Sequence, residues 1–469
     1  MNDTKEIRMP FSPYSGGCTL KTLRIPRWLA FAGLTVLLAP ILVKAGEVKR
    51  LTLSEAVHLA LDQNHVLKIA RLKVRENQAK KDEDRSAYFP QLTNQSSALH
   101  VSELQDIVLS AGAFGTVSGT PIPGQNLIIG QGGNNLFSSG TMLAQPLTQL
   151  LRVHQANRAA AAEVAGSQDE VKKAENDIAV QVHTLYYAIL VATLEKKAAE
   201  QQVTFASESL RENEEGIRNG SALQVAALSG RADLLQSRQA VLTLTLQLSD
   251  LNTQLNDLLG LPLDTQLQLD PDVPTEFETL AKADYEKLAW DQNPEIKAAG
   301  EMVRKAKAGV AAEKTSYIPD VTAFARHSYQ DGVPFFVHNF GTFGVHLEYD
   351  IFDFGKRRAA IRQRELQLAQ AEENLERMKD EVAVDIARSY NAMERTKNMV
   401  DVARQVAELR KESERLATEQ AAHGEILPAA LRQATAASYK AQADLLQASL
   451  AYSLAYADLE RAAGSTPVR

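Results

Sequence analysis

The chain has 469 residues, of which 45% are hydrophobic, 23% are charged and only 6% are aromatic. Its formal net charge is -7, and residues 46–469 hold 45 basic against 56 acidic side chains. This acidic balance excludes a general nucleic-acid binder, which needs a basic surface. The single cysteine, Cys18, excludes an intrachain disulfide or a thiolate metal cluster.

Residues 1–45 have the pattern of a secretory signal peptide. Basic residues between Lys21 and Arg27 precede an apolar run from Trp28 to Val43, and the small residue Ala45 follows. The alternative is a membrane anchor, but the run of about 16 residues is shorter than the ~20 that span a bilayer. Removal of residues 1–45 would leave a cysteine-free chain in the bacterial envelope, either soluble, secreted or built into a membrane from strands.

The rest of the chain contains two similar halves. Residues 59–93 align with residues 288–322 without a gap, and 13 of the 35 positions are identical. Residues 145–260 align with residues 349–464 in the same way, so that Gly220 matches Gly424 and Gly260 matches Gly464. Two ordered, gapless matches predict an internal duplication. The predicted organisation is a first repeat at 46–260, a linker at 261–276, a second repeat at 277–464 and a C-terminal tail at 465–469.

Each repeat is predicted to contain a helix, a β-hairpin, a very long helix and a second helix. Apolar residues recur at three- and four-residue steps from Val171 to Ala192, which is typical of a coiled-coil seam. A helix of this length would extend about 100 Å at 1.5 Å per residue. In each repeat, the helix before the hairpin and the helix after the long helix would lie end to end, and together they would run alongside the long helix. The predicted long helices are residues 152–219 and 355–422, and the predicted second helices are residues 222–258 and 426–462.

Between the helices the sequence predicts paired strands. The helix-breaking residues Pro90 and Pro319 precede hairpins at about residues 92–147 and 320–352, and the glycine-rich stretch inside the first is expected to be a flexible loop. In the second hairpin apolar and polar residues alternate, as they do in a transmembrane strand of about 10 residues. An ordinary surface hairpin is the alternative. The predicted lipid-facing residues are Phe343, Val345, Leu347, Tyr349 and Ile351.

Four strands per chain are too few to close a barrel. The open edges of a sheet cannot remain unpaired in lipid, so strands that cross a membrane here would have to be pooled by several chains. Two, three or four copies give eight, twelve or sixteen strands, all within the range of bacterial barrels.

The sequence predicts no enzyme, because no paired nucleophile and base, phosphate-binding loop or compact histidine set stands out. No cofactor or metal site is expected. A soluble periplasmic coiled-coil adaptor or scaffold remains an alternative function, although it accounts for the helices and not for the paired strands.

After residue 45 the chain resembles the TolC-type outer-membrane efflux proteins over nearly its whole length. The resemblance lies in the segment LTLSEAVHLALDQN at residues 51–64, in the Tyr-Phe-Pro and Tyr-Ile-Pro breaks at 88–90 and 317–319, and in the segment IFDFGKRR at 351–358. It implies a mainly α protein with membrane β: long antiparallel coiled-coil helices form a periplasmic α-barrel, and each subunit of a homotrimer contributes four strands to a 12-stranded outer-membrane barrel.

By this resemblance the chain is the exit duct of a tripartite efflux or type I secretion system. It would lie in the cell outer membrane, extend into the periplasm and passively conduct small molecules, metal ions or polypeptides. The implied partners are copies of itself, outer-membrane lipid, a periplasmic membrane-fusion adaptor and, through the adaptor, an inner-membrane pump. Independently of the resemblance, Ser221 is a candidate to cap the helix after the first turn, because a serine side chain can accept a hydrogen bond at a helix start. The implied adaptor-docking tips are the two helix-to-helix turns, formed by Asn219, Gly220, Ser221, Leu223, His423, Gly424, Glu425 and Leu427.

Overall fold

The structure is a computed structural model that describes residues 49–130, 132–272, 277–333 and 337–467. The predicted signal peptide, residues 1–45, lies outside the described residues. The described elements, in chain order, are β1 (Lys49–Leu51), α1 (Leu53–Gln63), α2 (His65–Ser86), β2 (Gln91–His100), β3 (Ile107–Leu109), β4 (Thr116–Val117), β5 (Thr120–Pro121), β6 (Leu127–Ile129), β7 (Asn135–Pro146), α3 (Leu150–Arg218), α4 (Gln224–Leu259), β8 (Leu267–Leu269), α5 (Lys282–Gln292), α6 (Pro294–Lys314), β9 (Asp320–Asp331), β10 (Asn339–Glu348), α7 (Lys356–Ala422) and α8 (Pro428–Ala463).

Each long helix is flanked by two shorter helices. Helices α2 and α4 pack along α3, and α6 and α8 pack along α7. Helix α3 also packs against α6 and α8, which joins the two repeats side by side. By length and composition alone α3 is apolar enough to cross a membrane, but half of its most apolar stretch is buried inside the protein, as in a core helix.

Two asparagines that match in the duplication join the short helices end to end. The Asn64 Oδ1 accepts hydrogen bonds from the backbone N–H groups of Val66 and Leu67 at the start of α2, and its Nδ2 donates to the Leu258 carbonyl at the end of α4 over 3.1 Å. Asn293 does the same between the start of α6 and the Ala462 carbonyl of α8, over 2.9 Å. Each amide therefore caps one helix and fastens the end of another.

The matching glycines close the same two joints. Gly260 and Gly464 have φ values of +68° and +93°, and both follow the last turn of a helix. A Cβ on Gly464 would lie 2.6 Å from the Asn293 nitrogen, and a Cβ on Gly260 would lie 3.0 Å from the Gln63 Cβ. Glycine is required at these positions for its left-handed conformation and for the close approach of two helix ends.

Two hydrophobic clusters are prominent in the core: the first is built mainly from the first repeat with Leu450 of α8, and the second from the second repeat. Val57, Leu67, Tyr186, Leu255 and Leu259 belong to the first. Tyr186 also anchors a two-stranded parallel sheet in which β1 pairs with β8. Its hydroxyl donates to the carbonyls of Leu51 and Asp270, and burial raises the pKa of Tyr186 to about 12. The second cluster is centred on Tyr285, Ile386, Tyr452 and Leu459.

The four long strands form one antiparallel sheet in the order β10-β9-β7-β2. The two hairpins are joined through β7 and β9, with Thr141 opposite His327. Strand β10 ends at Glu348, so the predicted strand residues Tyr349 and Ile351 follow the strand and do not belong to it.

Hydrogen bonds that the sequence does not reveal refine or correct other predictions. The predicted linker 261–276 contains a strand, β8. The segment between β2 and β7, expected to be a flexible loop, contains two nested strand pairs: β3 pairs with β6, and inside this pair β4 pairs with β5. Ser221 does not cap α4, because its hydroxyl donates back to the Gly216 carbonyl of α3.

Candidate functional site

One face of the sheet is apolar and exposed. On β10, Phe343, Val345 and Leu347 are 89%, 66% and 63% exposed in the single chain. Their partners on β9 are Ala325, Ala323 and Val321. The apolar face continues across the sheet through Leu143 of β7 and Leu92 of β2, which lie opposite each other. This arrangement suits contact with lipid, as predicted for the first three residues.

The opposite face of the sheet is polar. It carries His346 and Glu348 on β10 and Arg326 on β9, because successive side chains point to opposite faces. The Arg326 guanidinium lies over Gly140 of β7, where a Cβ would be 3.0 Å from the Nη2. The absence of a side chain at Gly140 therefore makes room for Arg326 on this face.

The apolar face is interrupted by a hydrogen-bonded polar group on β2 and β7. Asn94 donates to the Thr141 hydroxyl over 2.8 Å, and the Ser96 and Ser139 hydroxyls are 2.9 Å apart. Polar groups next to lipid are costly unless they bond to one another. These mutual bonds explain how strands with a weak apolar pattern in the sequence still belong to the same sheet.

The sheet has two open edges, β2 and β10, because the strand order does not close on itself. All ten residues of β2 are exposed. An edge of this length offers a row of unpaired backbone groups to another strand. The helical layer has corresponding ends: α2, which leads into β2, and α4 pack mainly on α3, whereas α7, which follows β10, packs mainly on α6 and α8.

The open helical edges carry apolar stripes that sequence reasoning missed. Leu228, Leu235 and Leu242 recur every seven residues on α4, and Val402, Leu409 and Leu416 recur every seven residues on α7. All six side chains are exposed, with Leu235 at 64% and Leu409 at 72%. A seven-residue repeat is the signature of a coiled-coil contact, and it was available in the sequence as a second stripe beside the buried seam.

Both predicted tips have the same backbone geometry. Gly220 and Gly424 have φ values of +70° and +74°. In the first turn the N–H of Gly220 donates to the Ile217 carbonyl and the N–H of Ser221 donates to the Gly216 carbonyl, and the second turn repeats both bonds. These two backbone hydrogen bonds end the helix at a point where the chain reverses direction. All eight predicted tip residues are exposed, and Leu223 and Leu427 present apolar side chains at 77% and 66% exposure.

The two tips are joined by one polar contact. The Glu212 carboxylate, near the end of α3, accepts a hydrogen bond from the backbone N–H of Ala429 in the first turn of α8 over 2.8 Å. A negative charge at a helix N-terminus is stabilising because the unpaired N–H groups there carry partial positive charge. The contact holds the first and second turns at the same end of the molecule.

The junction between sheet and helices is fixed by Asp353 and Arg357. The Asp353 carboxylate accepts bonds from the N–H groups of Gly355 and Arg357 and from the Arg357 Nε at 2.8 Å, which starts α7. The Arg357 guanidinium also lies 4.9 Å from the ring centre of Tyr349. Pro90 and Pro319 immediately precede β2 and β9, as the predicted helix-to-strand breaks. Among the described residues no three His, Cys, Asp or Glu side chains are grouped as metal ligands.

Comparison with known proteins gives a family and several similar folds. The family model for outer membrane efflux proteins matches residues 56–261 and 287–465. The structure is similar to the CmeC outer membrane channel of Campylobacter jejuni, with a TM-score of 0.69 and 17% identity over 88% of this chain and 85% of that one. It is also similar to the outer membrane protein VceC of Vibrio cholerae, with a TM-score of 0.66 and 16% identity over 88% and 96% of the two chains. The open state of the Neisseria gonorrhoeae MtrE outer membrane channel gives a TM-score of 0.64 and 18% identity over 88% and 89%. No curated protein matches the chain in sequence.

Proposed function

Because the chain belongs to the outer membrane efflux protein family, we propose that it is the passive exit duct of a tripartite efflux or secretion assembly. It is an outer-membrane channel protein by family and by fold. We further propose which copies complete the channel, which partner docks on it and what drives transport. The single observation that supports the proposal best is the pair of open edges, on the sheet and on the helices, in one chain.

The open edges support a ring of identical subunits. Strand β10 of one copy would pair with β2 of the next, and α7 of one copy would pack against α2 and α4 of the next. Three copies pool twelve strands, a number within the range of bacterial barrels. Pairing removes the unpaired backbone that lipid would not tolerate. The apolar face with Phe343, Val345 and Leu347 would then face lipid, and the polar face with Arg326 would line the lumen.

The helical stripes support the same ring. Helix α4 begins at the tip end of the molecule, and helix α7 ends there. At 1.5 Å per residue, Leu235 lies about 17 Å and Leu409 about 20 Å from that end. Leu228 and Leu416 match in the same way, as do Leu242 and Val402. Two seven-residue stripes at matching heights suit a coiled-coil contact between neighbouring subunits.

The tips are proposed to dock a periplasmic adaptor. Leu223 and Leu427 lie directly before α4 and α8 in extended conformation and expose apolar side chains that an adaptor helix would cover. Opening the entrance would require the turns to separate, so the Glu212–Ala429 bond belongs to the closed arrangement. The adaptor shifts the population by binding the open arrangement better. The driving force comes from the inner-membrane pump, and the cargo moves down the gradient that the pump sets up.

The proposal is tested by purifying the chain from outer-membrane vesicles and measuring its oligomeric state and ion conductance. We expect a heat-resistant trimer on gels and potassium conductance in planar lipid bilayers. A monomer that is released by osmotic shock and gives no conductance would contradict the proposal and would support a soluble periplasmic scaffold instead.

A further inference from the structure

The segment between β2 and β7 is the largest difference between the two repeats. Residues 101–134 connect β2 to β7, whereas residues 332–338 connect β9 to β10. Within the longer segment β3 pairs with β6 and β4 with β5. Between these two nested pairs, further backbone hydrogen bonds join the two sides, from the N–H of Gly112 to the Pro123 carbonyl and from the N–H of Phe114 to the Ile122 carbonyl, both at 2.9 Å. Residues 107–129 thus form one continuous two-stranded structure, which is called the apolar ribbon below.

The apolar ribbon exposes hydrophobic side chains on both faces. Val108 and Ile128 lie opposite each other on one face and are 54% and 64% exposed, while Ile107 and Leu127 on the other face are 48% and 49% exposed. Phe114, at 71%, extends the exposed surface toward the end of the ribbon. Residues 107–129 contain no charged side chain. Soluble surfaces rarely leave such a patch uncovered, and an isolated two-stranded ribbon is barely stable in water.

Lipid is poorly placed to cover the apolar ribbon. Membrane strands of 9–11 residues, tilted by about 45°, already span the hydrocarbon layer. Strands β2 and β7 have this length, with 10 and 12 residues. The ribbon begins beyond their far end, on the side away from the helices, and therefore lies outside the hydrocarbon.

The position of the ribbon indicates what covers it. It leaves the sheet from the end of β2, which is one of the two open edges. In the proposed ring this edge is where the β10 strand of the next subunit joins. Each ribbon consequently stands at a boundary between two subunits, and each ring carries one ribbon per subunit around the outer mouth.

We propose that the apolar ribbons of the subunits in one ring pack against one another and form an apolar constriction over the outer mouth of the channel. Each exposed ribbon face is covered by the ribbon of another copy of this chain. This inference rests on the ring of the proposed function. The constriction would restrict entry of large solutes from outside, and outward-moving cargo would part the ribbons because only side-chain packing holds them together.

The first test is oxidative cross-linking of single-cysteine variants in outer-membrane vesicles. Cys18 lies in the predicted signal peptide, so the mature chain has no other thiol. We expect Ile128→Cys to give disulfide-linked dimers of the chain. Leu347→Cys, on the sheet face away from the lumen, is the matched control and should remain uncross-linked. A paired variant, Leu235→Cys with Leu409→Cys, reports the ring itself.

These variants separate the two proposals. Cross-linking of the Leu235–Leu409 pair without cross-linking at Ile128→Cys overturns the constriction and leaves the ring in place, and points to lipid or another protein as the cover. Failure of the Leu235–Leu409 pair contradicts the ring and, with it, the proposed function.

The second test is conductance. Val108→Asp with Ile128→Asp places like charges where the ribbons would meet, and replacement of residues 107–129 by a short Gly-Ser loop removes them. We expect both variants to form trimers and to conduct several-fold more potassium current in planar bilayers than the unaltered protein. A trimeric variant with unchanged conductance would overturn the constriction.

Discussion

Gly464 and Asn293 show how far a single pair of residues decides the fold. Gly464 has a φ of +93°, and its Cα approaches the start of α6 so closely that a Cβ would overlap the Asn293 backbone. Asn293 in turn caps α6 and bonds to the Ala462 carbonyl of α8. The same arrangement at Gly260 and Asn64 explains why these four positions match in the duplication.

We expect Gly464→Ala to destabilise the protein by about 3 kcal/mol, because it adds left-handed backbone strain to a steric overlap. Gly300→Ala is the matched control, since Gly300 lies in α6 with open space around it. It should be neutral or stabilising by up to about 1 kcal/mol, the difference in helix propensity. Thermal dissociation of the purified oligomer measures both, and equal stability of the two variants would contradict the steric account.

His183 is expected to make the helical bundle sensitive to acid. It is buried in α3 against Tyr187, and burial lowers the pKa of His183 to about 4. An unfolded histidine binds a proton near pH 6.5, so its contribution to stability is present above that pH and is lost as the pH falls toward 4. The loss is up to about 3 kcal/mol.

His183→Gln should therefore lose less stability than the unaltered protein between pH 7 and pH 4.5. His58→Gln, at an exposed position, is the control and should leave the pH dependence unchanged. The dissociation temperature of the oligomer at the two pH values is the measurement. Parallel losses in all three proteins would show that His183 does not control acid sensitivity.

At the scale of the element, the two turns between long and short helices are the most regular feature of the molecule. Both reverse the chain with the same pair of backbone bonds and a glycine in left-handed conformation. Both are followed by an exposed leucine in extended conformation. Two tips of the same backbone geometry per chain become six in a ring of three, which suits a repeated docking surface for an adaptor.

We expect the double variant Gly220→Pro/Gly424→Pro to assemble into the outer membrane and to lose efflux. Proline cannot adopt a positive φ and has no N–H to donate, so both turns must change shape. Gly220→Asn/Gly424→Asn is the matched control, because asparagine tolerates the left-handed conformation. Dye accumulation in cells measures efflux, and planar-bilayer conductance shows that the channel itself survives. Normal efflux in the proline variant would argue against docking at the tips.

At the scale of the whole molecule, the described chain is open on two sides. The sheet leaves β2 and β10 unpaired, and the helices leave stripes of leucine and valine exposed on α4 and α7. These edges coincide on the same two sides of the chain. A closed ring of copies buries both at once, and this is the physical basis of the proposed channel.

Oxidation of the Leu235→Cys/Leu409→Cys variant should give cross-linked trimers, because the two positions differ in height by only about 3 Å along the helices. The mismatched pair Leu242→Cys/Leu416→Cys differs in height by about 18 Å and should not cross-link. Gel electrophoresis without reductant distinguishes the two. Equal cross-linking of both pairs would mean that α4 and α7 do not meet in the expected register.

The sequence by itself determined the duplication, the long helices and the glycine turns, because each depends on local periodicity and on single residues such as Gly220 and Gly424. It also supported the family resemblance that the family model confirms. The tertiary structure decided the features that depend on distant segments. Strand β8 became visible only through its pairing with β1, the apolar ribbon only through the bonds between its two halves, and the open edges only through the order of the strands. The first hairpin is predicted from a weaker strand pattern than the second, because the side chains of β2 are mostly polar and are satisfied by a neighbouring strand that only the folded sheet brings into place.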